Sequence, residues 1–100
     1  MRRRVAPTAD DLLLLDPDGE FLQRLEVDRL TIARLLDAGD ETAIRPVVHR
    51  LAGAAGTFGF PEISDIAIEL DDAAVAGDPL APGGVRQLLA ALTRATEKSA

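Results

Sequence analysis

Residues 18–38, DGEFLQRLEVDRLTIARLLDA, contain apolar side chains at the three- and four-residue spacing of one helix face. The members of this stripe are Phe21, Leu22, Leu25, Ile32, Leu35 and Leu36. Gly39 follows directly, and glycine is common just beyond the last turn of a helix. The stretch therefore predicts a long amphipathic helix from about residue 18 to residue 38.

Helix start and stop signals, with similar apolar spacing in the later segments, predict four more helices in the chain. We expect a short helix from Thr8 or Asp10 to Leu15, and long helices from about Thr42 to Phe58 or Gly59, from Pro61 to Gly77, and from about Val85 to Lys98. The apolar stripes of the last two are Ile63, Ile66, Leu70, Ala73 and Ala74, and Val85, Leu88, Leu89, Leu92 and Ala95. Because the connections are short, consecutive long helices should be antiparallel neighbours.

The composition of the 100-residue chain supports this reading. Ala and Leu supply 32 of the 47 apolar residues, while only three residues are aromatic. Ala and Leu favour helices, whereas the β-branched and aromatic residues that suit strands are few. We therefore predict an all-α fold, an antiparallel up-down four-helix bundle with a short N-terminal capping helix, forming a single domain over residues 1–100.

Charge and residue usage exclude several function classes. The net charge of -6 argues against broad contact with a nucleic-acid backbone. The absence of Cys excludes disulfide and thiolate chemistry, and one histidine cannot form a histidine-rich metal site. No apolar run suits a bilayer span, and no signal-peptide core follows the basic residues 2–4. We expect a cytoplasmic monomer that binds neither nucleic acid nor membrane and has no cofactor of its own.

The single histidine, His49, lies on an unusual face of the third predicted helix, which runs from about residue 42 to residue 58. At ~100° per residue, the apolar stripe of this helix is centred opposite His49. That stripe contains Ile44, Val47, Leu51, Ala55 and Phe58, whereas Arg45, Ala52, Gly53 and Gly56 lie on the histidine's own side. A glycine inside a helix costs about 1 kcal/mol relative to alanine. The two glycines therefore suggest that another macromolecule approaches His49 closely. Alternatively, the glycines mark close packing of a neighbouring helix, and His49 is a solvated side chain with no function.

An exposed imidazole can act as a nucleophile in direct group transfer. The sequence contains no Gly-x-Ser-x-Gly elbow, Walker loop or His-Glu-x-x-His pair, so a free-standing hydrolase is the weakest hypothesis. His49 could instead accept a phosphoryl group from the aspartyl phosphate of another protein. That partner would supply the metal ion and the electrophilic site.

The run from His49 to Gly59, HRLAGAAGTFG, resembles the signature of histidine-containing phosphotransfer (HPt) domains. That signature has an apolar residue two positions after the histidine, usually Lys at three, Gly at four and a small residue at ten. An apolar–acidic pair follows about 21 residues after the histidine, and Leu70-Asp71 matches it. The register holds without a gap from His49 to Asp71.

The resemblance implies a four-helix bundle whose exposed histidine carries a phosphoryl group between receiver domains of response regulators or hybrid histidine kinases. His49 would be the phosphoacceptor, with Nε2 as the nucleophile, and Gly53 would leave room beside it. Gly56 and Asp71 would also face the receiver, and Asp71 could hydrogen-bond near the imidazole or be an ordinary surface acid. The Mg²⁺ ion needed for the reaction is expected in the receiver.

One position departs from the family pattern, because Ala52 stands where the family usually has Lys. The family lysine helps to offset phosphoryl charge. We consider Arg45 and Arg50, which flank His49, as substitutes facing the receiver, and Arg29 as a third candidate. Each could equally be a solvated surface charge.

Two points stay open on the sequence alone. Pro46 would be unfavourable inside a helix, which predicts either a start no earlier than Thr42 or a kink. The leading function is a phosphorelay intermediate, and the alternatives are a receiver-binding module without efficient transfer or a structural adaptor. The adaptor would self-associate through exposed apolar surface that includes Ile68.

Overall fold

The computed structural model describes residues 14–98, and that part of the chain contains four α-helices. They are α1 (Glu20–Asp37), α2 (Glu41–Ala54), α3 (Pro61–Val75) and α4 (Pro82–Lys98). Each helix packs against the helix before and after it, and α4 closes the ring by packing against α1. The predicted all-α four-helix bundle is confirmed. Leu14 and Leu15 are helical, and the rest of the predicted N-terminal helix lies outside the described residues.

Contacts between neighbouring helices show that they run antiparallel. Between α2 and α3, Ser64 contacts Ala52 near the connecting turn, whereas Arg45 contacts Ala74 at the far end. Between α3 and α4, Glu62 near the start of α3 pairs with Arg94 near the end of α4. No helix within residues 14–98 is long and apolar enough to cross a membrane.

The core contains most of the apolar residues that the sequence placed there. The largest fully buried side chains are Leu25, Ile32, Val48, Leu51, Val85, Leu88 and Leu92. The predicted stripe of α2 was wrong at one position, since Val48 is fully buried and Val47 only half-buried. In α3, Ser64 and Ala67 are buried, whereas Ile66, Ala73 and Ala74 are half-buried. The α2 and α3 stripes are therefore rotated slightly from the predicted ones.

The turn after α1 ends the helix where the sequence predicts. Gly39 has a φ of 69°, and its N–H bonds to the Leu36 carbonyl at 3.1 Å. The Asp40 N–H bonds to the Leu35 carbonyl at 2.9 Å, which completes a Schellman motif. The left-handed conformation at Gly39 suits glycine because it lacks Cβ. Asp40 then caps α2, since its carboxylate accepts the Ala43 N–H at 3.2 Å.

Three predicted helix boundaries need correction. Helix α1 begins at Glu20 rather than near residue 18, and α2 ends at Ala54, with turns continuing to Gly59. Helix α2 begins at Glu41, one residue earlier than predicted, so Pro46 lies inside it. Proline has no N–H to donate to the carbonyl of Thr42, four residues earlier. Because Pro46 and Thr42 are both exposed, water can hydrogen-bond to that carbonyl instead.

The last helix also begins earlier than predicted, at Pro82 instead of Val85. Proline is favoured in the first turn because the first helical N–H groups have no intrahelical acceptor. Gly83 and Gly84 consequently belong to α4. A Cβ on Gly84 would lie 2.8 Å from Cδ2 of Leu70, so the missing side chain lets α4 approach α3 closely.

Candidate functional site

His49 projects from α2 on the side away from the core, and 74% of its side chain is exposed. Gly53, one turn further along, is also exposed, and a Cβ placed there would have no neighbouring atom within 4 Å. The imidazole therefore stands on an open face of the helix, with space beside it. The sequence predicts that His49 and Gly53 lie on the side of the helix opposite the core, and both are exposed there.

Asp71 of α3 is hydrogen-bonded to one nitrogen of the His49 imidazole. Nδ1 of His49 lies 3.1 Å from Oδ1 and 3.0 Å from Oδ2 of Asp71. A carboxylate can only accept hydrogen bonds, so Nδ1 is the donor. In the neutral ring the lone pair then lies on Nε2. The contact thus orients the ring and leaves the Nε2 lone pair free of Asp71.

A second hydrogen bond joins α2 and α3 closer to the turn that connects them. The Ser64 hydroxyl donates to the Ala52 carbonyl at 3.2 Å, beside the position where the family usually has lysine. Gly56 lies next to the same serine, because a Cβ on Gly56 would be 3.3 Å from the Ser64 Oγ. Gly56 is exposed, as the sequence predicts. Unlike Gly53 it has a close neighbour, and its missing side chain makes room for Ser64.

Arg45 lies one turn before His49, yet its guanidinium is turned along α2 toward the end of α3. It bonds to Glu41 at 3.1 Å and to the carbonyls of Ala74 and Asp78, both at 3.4 Å. Glu41 also accepts the Leu80 N–H. The Arg45 guanidinium, helped by that N–H, lowers the pKa of the Glu41 carboxyl. Arg45 therefore fastens the α3–α4 connection to α2.

Arg50 points to the opposite side of α2, toward α1. Its guanidinium forms two bonds to Asp28, of 3.1 and 2.5 Å. The Asp28 side chain is only 4% exposed, and Arg24 lies 3.6 Å from it. Sequence reasoning missed this buried carboxylate, although its position between Leu25 and Ile32 in the apolar stripe of α1 was a usable signal.

Arg29, the third cation considered, lies away from His49. It is paired with Glu26 at 2.5 Å, and both line a cavity between α1 and α4 that also includes Thr96 and Glu97. The hydrogen bond from Arg29 lowers the pKa of the Glu26 carboxyl, and the same bond raises the pKa of Arg29. All three arginines proposed to offset phosphoryl charge are therefore engaged in ion pairs.

The structure thus brings together a compact group at the α2–α3 interface. This group consists of His49, Asp71, Ala52, Gly53 and Gly56. Within residues 14–98, no group of three or more His, Asp or Glu side chains could hold a metal ion. The site offers an exposed imidazole whose orientation is fixed by Asp71.

The model of one protein family, described as the Hpt domain, matches residues 19–97. The chain belongs to the Hpt family. Hpt domains carry out histidine phosphotransfer in phosphorelays and interact with receiver domains of two-component systems. No curated protein and no solved structure matches the chain significantly. The family model and the bundle agree in extent, since the matched residues run from the residue before α1 to the last turn of α4.

Proposed function

We propose that this Hpt domain is a phosphorelay intermediate in which His49 accepts a phosphoryl group from one receiver domain and passes it to another. The observation that carries this proposal is the bond from Nδ1 of His49 to Asp71, which leaves Nε2 nucleophilic on an open helix face. The reaction takes place in the cytoplasm, where receiver domains are found. The protein binds its receiver as a monomer.

In the accepting step, the lone pair of Nε2 attacks the phosphorus of the receiver's aspartyl phosphate. A P–N bond forms while the bond between phosphorus and the aspartyl oxygen breaks, and the receiver's aspartate leaves as a carboxylate. Nε2 has no proton to lose, because the ring proton is on Nδ1. The positive charge that develops on the ring is offset by the Asp71 carboxylate, in the manner of a histidine–aspartate pair.

The donating step is the reverse reaction with a second receiver. An aspartate oxygen attacks phosphorus, the P–N bond breaks, and the electron pair returns to Nε2 of His49. A Mg²⁺ ion in the receiver would offset the charge of the phosphoryl oxygens in both directions. The chain contains no nucleotide-binding loop, so incubation with ATP and Mg²⁺ alone should leave the protein unlabelled.

The proposal is tested with receiver domains from the source organism, phosphorylated with acetyl phosphate. The untagged chain contains a single histidine, so phosphohistidine detected on it is at His49. We expect labelling of the wild type and none of His49→Gln, with unchanged helical circular dichroism. A matched control adds Gln23→His to His49→Gln, which restores one exposed histidine on α1. Labelling of either variant would overturn the assignment of His49.

Space at Gly53 provides a second test of the same proposal. A glutamine side chain there would crowd the imidazole and the incoming phosphoryl group. Because a Cβ at Gly53 would have no neighbouring atom within 4 Å, stability should be retained. We therefore expect Gly53→Gln to slow transfer strongly while the midpoint of thermal unfolding stays within a few degrees. Unfolding of this variant would show that Gly53 packs against another element.

A receiver-binding module without efficient transfer is the second candidate. It is favoured by Ala52 and by the ion pairs that engage Arg29, Arg45 and Arg50. The two functions differ in one measurement on the same samples. A module that only docks would bind a phosphorylated receiver in a titration and acquire no phosphohistidine.

A further inference from the structure

Phosphorylation of His49 would add negative charge to a surface that already carries it. A phosphoryl group brings negative charge and three oxygen atoms that accept hydrogen bonds. Asp71 lies beside the ring, with its carboxylate oxygens 3.1 and 3.0 Å from Nδ1. Its charge is matched by the ring, which becomes positive when Nε2 binds phosphorus. The phosphoryl oxygens therefore need a cation from another residue.

The arginines of α2 are bonded away from His49. Arg45 is paired with a carboxylate one turn earlier and with two backbone carbonyls. Arg50 forms two bonds to the buried Asp28 on the side of α1. Residue 52 lies one turn after His49 and within ~60° of it around the helix axis, but it is alanine. No side chain at that position can reach the phosphoryl oxygens.

Helix α3 makes the surroundings more negative. Within residues 14–98, α2 packs against α1 and α3 only. Helix α3 contains no lysine or arginine, and its five acidic residues are Glu62, Asp65, Glu69, Asp71 and Asp72. Asp72, next to the carboxylate that holds the imidazole, is exposed and forms no ion pair with the described residues. A phosphoryl group on His49 thus adjoins a helix whose charged side chains are all acidic.

We propose that this unopposed negative charge destabilises phosphorylated His49, so that the exchange equilibrium lies further toward the receiver's aspartyl phosphate than it would with one cation beside the ring. The inference rests on the proposed function and describes the energetics of the same site. In the favoured direction, a receiver aspartate oxygen forms a bond to phosphorus, the P–N bond breaks, and the electron pair returns to Nε2. The domain is suited to passing the group on, not to storing it.

The equilibrium constant of the exchange separates this effect from partner binding. It compares the free energies of the phosphorylated and unphosphorylated forms of the two proteins. A change that only helps or hinders the encounter alters the forward and reverse rates by the same factor. The measured quantity is therefore the ratio of phosphohistidine to aspartyl phosphate, reached in dilute mixtures in which little complex is present.

The first experiment places a cation one turn after His49. Ala52→Lys is compared with Ala52→Gln, which adds a polar side chain of similar shape without charge. With one receiver that labels the wild type, we expect the ratio to be roughly 2- to 5-fold higher for Ala52→Lys at low ionic strength. The difference should shrink at high salt, because exposed charges are screened. Ala90→Lys adds the same charge at an exposed position of α4, which does not contact α2, and should leave the ratio unchanged.

A second position keeps the test independent of packing at residue 52, which is half-buried. Pro46 is exposed and precedes His49 by three residues, a spacing at which side chains on a helix are neighbours. We expect Pro46→Lys to raise the ratio relative to Pro46→Gln, again most at low ionic strength. Asp72→Asn, which removes one negative charge, should raise the ratio relative to the wild type. Circular dichroism of each variant checks that the helices are intact.

Three outcomes are decisive. Equal ratios for the Lys and Gln variants at both positions would overturn the inference, because a nearby cation would then not matter. A fall in the ratio on changing Arg34, Arg45 or residues 2–4 to Gln, as large as the rise with Ala52→Lys, would also overturn it, because a cation of this chain would already reach the phosphoryl group. Absence of wild-type labelling by every receiver would instead refute the proposed function.

Discussion

His49 and Arg50 are adjacent on α2, and each contacts an aspartate twenty-two residues away in sequence. His49 reaches forward to Asp71 of α3, and Arg50 reaches back to Asp28 of α1. The first pair is open, with the histidine side chain 74% exposed, whereas the second aspartate is only 4% exposed. The open pair leaves one nitrogen of His49 available for chemistry. In the buried pair both carboxylate oxygens are engaged by Arg50, which joins two helices.

The difference between these neighbours shows how one helix serves two purposes. A buried carboxylate needs a charged partner, because removing the partner leaves an uncompensated charge in a medium that solvates it poorly. An exposed pair contributes little to stability, since water competes for both groups. We therefore expect the buried pair to control folding and the exposed pair to control reactivity.

The largest effect on folding is expected for Arg50→Ala. This change leaves Asp28 with Arg24 alone, which lies 3.6 Å away and is itself 58% exposed. We expect a loss of about 2–4 kcal/mol in the free energy of unfolding, measured by urea denaturation. Arg94→Ala, which breaks an exposed pair with Glu62, is the control and should cost no more than ~1 kcal/mol. Equal losses for the two variants would remove the distinction between buried and exposed pairs.

For Asp71→Ala we expect a large loss of transfer rate and a small loss of stability. Without this carboxylate, the Nδ1–H tautomer and the ring orientation of His49 are no longer fixed. For metal-binding histidines, removing the carboxylate that orients the ring commonly lowers affinity or activity roughly 10- to 100-fold, and Asp71 orients His49 in the same way. We expect a loss of that size in the transfer rate, with less than ~1 kcal/mol lost in stability. Asp71→Asn, which can still accept from Nδ1 through its amide oxygen, should fall between the wild type and Asp71→Ala. A transfer rate unaffected by either change would make Asp71 an ordinary surface acid.

The sequence predicted the fold class and the exposed His49 because both depend on local periodicity. The four amphipathic stripes and the glycine turns are local features, and they locate the core face of each helix to within about one residue. Long side chains are harder to place, since rotamers of Arg45 and Arg50 carry their guanidinium groups to other helices. Their partners, such as Asp28, are distant in sequence, and helical spacing alone does not bring them together.

Gly84 illustrates the same limit for packing between helices. The sequence reading placed Gly83 and Gly84 before the last helix, yet both belong to its first turn. Only the structure shows that Gly84 lies against Leu70, whereas Gly83 has open space around it. The close approach depends on how α3 and α4 pack, which the composition of either helix does not determine.

These two glycines give the next prediction. Gly84→Ala forces the buried Leu70 side chain to move, because the new Cβ would lie 2.8 Å from its Cδ2. Gly83→Ala meets no atom and gains helix propensity. We expect Gly84→Ala to be less stable than Gly83→Ala by about 1–3 kcal/mol in urea denaturation. Since Leu70 precedes Asp71, Gly84→Ala should also slow transfer more than Gly83→Ala. Equal stability would mean that Leu70 repacks without cost.

The smallest expected effect separates the two glycines of the histidine face. Gly53→Ala should be neutral or stabilising by up to ~1 kcal/mol, because alanine favours the helix and its Cβ meets open space. Gly56→Ala places its Cβ 3.3 Å from the Ser64 hydroxyl, which donates to the Ala52 carbonyl. Part of the gain should therefore be lost as that hydrogen bond lengthens. We expect Gly53→Ala to be the more stable variant by a few tenths to ~1 kcal/mol.

Thermal unfolding of both variants and of the double variant Ser64→Ala/Gly56→Ala shows whether crowding against the Ser64 hydroxyl causes the difference. Removing the hydroxyl should relieve that crowding. If Gly56→Ala is as stable as Gly53→Ala, the α2–α3 interface is loose enough for Ser64 to move, and Gly56 is not needed for packing.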